Sequence, residues 1–157
     1  MKRRNNNNNQ YELKEALIHV SLVSAIIIFA IYFSVNTEKI GWVMIGLSLL
    51  PLASLWLTGE RIREAISEIV FGAFNTGLIT LLAIGGYRLE GILGAIIGVA
   101  VGDAITEGLS GILEGEVSEI LMRHKIKEKI DPLISSLGKM AGAMLGGGIV
   151  LLVYSLF

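Results

Sequence analysis

The chain contains no cysteine, which excludes disulfides, thiolate nucleophiles and thiolate metal sites together. Histidine is scarce as well: His19 and His124 lie far apart in sequence, and a histidine metal cluster within one chain has no basis. Charge is also low. Asp, Glu, Lys and Arg make up 17 % of the 157 residues, against about 25 % in an ordinary soluble domain. The formal net charge is −1, so no basic field draws the chain to nucleic acid. No phosphate-binding glycine loop is present, because Gly138-Lys139-Met140 lacks the Ser or Thr that would close one. No Ser/His/Asp set falls at one depth, and no sizeable soluble domain exists to hold a nucleotide. The chain is expected not to be an enzyme and to use no organic cofactor.

What the chain has instead is apolar sequence, with 53 % hydrophobic residues and a mean hydropathy of +0.67. A membrane-spanning helix needs about 20 mostly apolar residues. Stretches of that kind run over 16–37, 40–59, 65–87, 91–115 and 132–157. The second contains Pro51, which removes one backbone donor but is tolerated in membrane helices. The fifth opens at Pro132, a residue suited to a first helical turn. The pattern predicts an all-α polytopic membrane bundle of about five transmembrane helices, in contact with lipid. Residues 15–157 form its single domain. Residues 1–14 combine Lys2, Arg3 and Arg4 with an asparagine run, have nothing to bury, and are expected to be a disordered tail. Between the fourth and fifth spans, 116–131 mixes Glu116, Glu119, Arg123, Lys125 and Lys127 with Val117, Ile120, Leu121 and Ile126. That segment reads as a charged, partly amphipathic surface helix, an extension of the fourth span, or a solvated connector.

Orientation follows from Lys and Arg in the short loops. One side receives Lys14, Arg61, Arg63, Arg123, Lys125, Lys127 and Lys129 beside the basic N-terminus, and the other only Lys39 and Arg88. The N-terminus is expected in the cytoplasm and the C-terminus outside.

Two spans carry rows of glycine at steps of four: Gly94, Gly98 and Gly102 in the fourth, and Gly138, Gly142 and Gly146 in the fifth. Such rows keep to one helix face and let backbones approach closely. They are expected to pack the fourth span on the fifth or to face a neighbouring subunit. Gly146-Gly147-Gly148 is either a hinge or a tight contact, and Gly41 is expected to tolerate a large side chain.

The most informative residues are Asp103 and Glu107, one helical turn apart in the fourth span, with Ser110 and Glu114 continuing toward its inner end. Counted from Gly91 at about 1.5 Å per residue, Asp103 lies about 18 Å deep, past the midplane. A carboxylate there costs about 2.5–3.5 kcal/mol on insertion scales and usually faces a cavity, a partner or an ion path. Lys139 is a candidate charge partner at similar depth, Asn75 and Thr76 are candidate hydrogen-bond donors, and Glu68 could join the cluster. A closed polar cluster that holds helices together and a hydrated site for a cation both fit. The acids outnumber the single lysine, which favours a cation. Oxygen ligands without Cys or His suit Na⁺, K⁺, Mg²⁺, Ca²⁺ or Mn²⁺, and Asp103 and Glu107 are the residues that would hold it. The expected function is a small homo-oligomeric channel or transporter for a cation. The alternative is a non-catalytic accessory subunit of a membrane complex, packed through its glycine rows.

Overall fold

The computed structural model describes residues 3–35, 39–123 and 131–156, leaving aside the side chains of 3–10, 12 and 113–123. Every regular element among the described residues is helical: α1 (Arg3–Ser34), α2 (Ile40–Leu47), α3 (Leu49–Leu57), a 3-10 turn (Ile62–Ala65), α4 (Ile66–Arg123) and α5 (Pro132–Tyr154). Four stretches are long and apolar enough to cross a membrane: Leu13–Ser34, Ile40–Leu57, Ile62–Ile112 and Pro132–Tyr154. Large apolar side chains such as Leu22, Phe29, Trp56, Leu93 and Ile96 stand exposed along them, as suits an integral membrane protein.

Helix α1 begins at Arg3, inside the tract expected to lack structure. Extending an existing helix adds a hydrogen bond for each residue fixed, without a new nucleation cost. Asparagine opposes this by less than about 0.7 kcal/mol per residue. At the other connector, α4 continues to Arg123, so the first part of 116–131 extends the helix. Residues 124–130 lie outside the described residues.

Helices α2 and α3 are one apolar stretch broken at Ser48. Pro51 has no N–H to offer the Leu47 carbonyl one turn back. The Ser48 hydroxyl meanwhile donates to the Ile45 carbonyl at 2.6 Å. Ser48 and Pro51 are both fully buried, so the bend is enclosed by neighbours.

The chain divides into two compact units, Met1–Thr76 with Asp131–Phe157, and Gly77–Ile130. In the first unit α5 is central, touching α1, α2, α3 and the 3-10 turn. Leu133, Ile134 and Leu137 of α5 meet Ala16, Val23 and Ile27 of α1, Leu55 of α3 and Ala65 in its core. Asp131 caps α5 by accepting a hydrogen bond from the Leu133 N–H at 2.9 Å, with Pro132 in the first turn. A polar tie joins α1 to α3, where His19 Nδ1 and Ser54 Oγ lie 2.9 Å apart.

The second unit is a helical hairpin. Helix α4 leaves helical geometry at Glu90 and at Gly91, whose φ of +60° and ψ of −137° suit glycine alone. There the chain turns back, so that 77–89 and the residues after 91 run side by side. The Ile62–Ile112 stretch is 51 residues long, which as one rod would be about 77 Å, more than twice the hydrocarbon core. The reversal at Gly91 resolves that excess.

Candidate functional site

The glycine rows decide which helix faces remain free. In the hairpin, a methyl placed on Gly94 would strike the Gly86 carbonyl, one on Gly98 the Leu82 carbonyl, and one on Gly102 would come within 2.9 Å of Ile79 Cα. These pairs centre on Glu90 and Gly91, where the chain reverses. The row continues with Thr106 and Ser110, both buried. The Thr106 hydroxyl donates to the carbonyls of Gly102 and Asp103 at 3.1 and 3.0 Å, which leaves it no donor for a ligand.

In the first unit the α5 row meets the start of α4. A methyl on Gly138 would lie 2.8 Å from Glu68 Cβ, and those on Gly142 and Gly146 would strike the carbonyls of Ile69 and Ala73. The two rows therefore each face a different length of the segment 65–86. Each row thus has close contacts inside its own unit, where the spacing alone had offered the other span or a neighbouring subunit. A step of four identifies a face but carries no information about its occupant. Gly148 turns to another neighbour and meets Ile45 and Gly41 of α2, while α5 runs unbroken through 146–148. The triple glycine thus serves two close contacts on two faces, and no hinge interrupts the helix. Gly41 is correspondingly tight: a methyl on it would lie 2.7 Å from the Leu152 N. The expected tolerance at that position is reversed. Gly46, with nothing within 4 Å, is the open glycine of α2.

Asp103 and Glu107 fall on the other side of the hairpin's second limb. Both are exposed, whereas Gly102, Thr106 and Ser110 beside them are buried. On the same face Ile96 and Val99, one and two turns before Asp103, are apolar and exposed. The carboxylates are thus turned away from the helix that packs on this limb. The Glu114 side chain lies outside the described residues.

The other candidates gather in the first unit. Lys139 Nζ lies 3.8 Å from Glu68 Oε2 and 5.6 Å from the centre of the Phe71 ring. The described ion pair of Lys139 is thus with Glu68, although Asp103 and Glu107 were its expected partners. Lys139 remains 48 % exposed and Glu68 23 %. The pair is held at the limit of ion-pair distance, with the ammonium still accessible. Asn75, expected to support a carboxylate, has its Oδ1 enclosed without a hydrogen-bond donor among the described residues. Thr76 does have an interaction. Sequence reasoning passed over the His19–Ser54 bond, since Ser54 looked like one more small residue in an apolar span.

Near the ends of these helices, Glu60 sits between α3 and the 3-10 turn. Partial burial and the negative charges of Asp131, Glu64 and Glu15 push its pKa above the usual glutamate value. Among the described residues no three His, Asp or Glu side chains converge to hold a metal ion. Comparison with known proteins gives no match to a family model, a curated protein or a solved structure.

Proposed function

We propose that this protein is a homo-oligomeric membrane protein that conducts or carries a cation, with Asp103 and Glu107 on its path. The observation that carries this reading is the exposure of both carboxylates, one turn apart, on an otherwise apolar face. Counted along the helix from the reversal at Gly91, Asp103 lies about 18 Å and Glu107 about 24 Å into a hydrocarbon core about 30 Å thick. Left against lipid, each carboxylate would cost about 2.5–3.5 kcal/mol on insertion scales. Water, a cation or another subunit must therefore cover them. Oxygen ligands of this kind accept Na⁺, K⁺, Mg²⁺, Ca²⁺ or Mn²⁺.

In this reading the chain crosses the membrane five times, because the reversal at Gly91 makes two crossings of α4. The N-terminus is cytoplasmic and the C-terminus outside, following the basic loops. An accessory-subunit role built on the glycine rows has less support, since both rows are occupied within the chain. The test is ion flux in proteoliposomes containing the intact chain, with each of the five cations in turn. Asp103→Asn keeps the shape of the side chain and removes its charge. It should lower the flux and leave the oligomer mass in detergent unchanged. Equal flux of every cation through wild type and Asp103→Asn would end the reading.

A further inference from the structure

We infer that the Asp103–Glu107 face of one chain receives Lys139 of a second copy of the same chain. The inference rests on the oligomeric part of the proposed function and names the contact that builds it. Three observations support it. First, both partners are accessible in the single chain: the two carboxylates are exposed and Lys139 is 48 % exposed. Second, their depths match. Lys139 is seven residues in from Pro132, about 10 Å along α5, while Glu107 and Asp103, counted from Gly91 through a core about 30 Å thick, come to about 6 and 12 Å from its far side. Third, their charges are complementary, and each is as costly against lipid as the other. Glu68 at 3.8 Å and the Phe71 ring hold the ammonium in place but leave it room for further acceptors.

The two patches differ, one on α4 and one on α5, so the contact either repeats head to tail around a ring or occurs twice, reciprocally, about a two-fold axis. Each interface would then combine Asp103 and Glu107 of one chain with Lys139 and Glu68 of the next. Three carboxylates against one ammonium leave an excess of negative charge, so the lysine fixes the register between subunits while a cation is still attracted.

The absence of cysteine makes the test direct. Two differently tagged full-length copies are co-expressed, one with Glu107→Cys and the other with Lys139→Cys, and the membranes are treated with a short bismaleimide. The expected product has twice the chain mass and carries both tags, and Glu107→Cys expressed alone gives none. Where Glu107→Cys does not accumulate, Asp103→Cys on the same face replaces it. Co-purification of the two tags without any doubly tagged cross-link overturns the inference, even if Asp103→Asn still lowers flux. Failure of untreated wild-type copies to co-purify overturns the oligomeric reading and this contact together.

Discussion

Gly86 and Gly94 face each other across the hairpin so closely that a methyl on either would run into the carbonyl oxygen of the other. The same arrangement recurs at Gly98 with Leu82 and, in the first unit, at Gly142 with Ile69. In both units helices meet backbone to backbone, through the contact that membrane helices use in place of a hydrophobic drive.

Adding one methyl group should therefore be costly at these positions and harmless elsewhere. Gly98→Ala and Gly142→Ala push a carbon against a backbone carbonyl that cannot rotate away, and each should destabilise by about 1–3 kcal/mol. Gly46→Ala meets open space and should be neutral or stabilising by up to about 1 kcal/mol through helix propensity. Unfolding of the three variants in mixed detergent measures the contrast, and equal behaviour would disprove the close contacts.

Glu90 and Gly91 make the reversal, and of the two only Gly91 has a positive φ. Its φ of +60° with ψ of −137° places a β-carbon in severe conflict, so Gly91→Ala should cost about 1–3 kcal/mol. Distances between spin labels at Leu81 and Val101 should be short in the wild type and broadened in Gly91→Ala. An unchanged distance distribution and stability would show that the turn does not depend on glycine.

Asp131 stabilises one neighbour and disturbs another. It caps α5 through the Leu133 N–H, and its charge helps push the Glu60 pKa up. Asp131→Ala loses the cap and should destabilise by about 1 kcal/mol. Asp131→Asn keeps an acceptor and removes the charge, so its loss should be smaller. The pH dependence follows from the sign of the Glu60 shift. A raised pKa means that the fold favours protonated Glu60. That stability is present below the ordinary glutamate range near 4.5 and is lost as pH rises through the folded-state value. Glu60→Gln should remove this component. Thermal unfolding in detergent from acidic to neutral pH tests it, and an unaltered profile would mean that Glu60 contributes nothing.

Asn75 offers a different contrast. An enclosed amide oxygen without a donor costs about 1–3 kcal/mol, and an apolar residue of similar shape removes that cost. Asn75→Leu should be neutral or more stable than wild type in detergent unfolding. If it loses flux at the same time, the amide serves transport; if it destabilises, the oxygen has a partner in the assembled protein.

The helices are legible from the sequence because they follow from apolar run length. The start of α5 is legible too, since Asp131 and Pro132 are local signals that act on the next few residues. Contacts distant in sequence are not. Nothing in the spacing of Gly94, Gly98 and Gly102 says that they meet 79–86. Nothing beside Lys139 says that Glu68 is its neighbour, because that depends on how α5 is rotated against the first turns of α4. Gly41 looked unremarkable for the same reason: its constraint is the Leu152 backbone, more than a hundred residues away. The exposure of Asp103 and Glu107 likewise depends on Gly102 and Thr106 filling the buried face, which their spacing does not specify.

The hairpin has a consequence for the order in which the protein is made. Its contacts join residues within about 25 positions of one another, so it can close as soon as the second limb emerges. The seat that Gly142 and Gly146 occupy, at Ile69 and Ala73, is synthesised roughly 70 residues before its occupant. During that interval the surface between Ile69 and Ala73 stands open in the nascent chain. It is the place where a wrong neighbour, or a second unfinished chain, would intrude before α5 arrives.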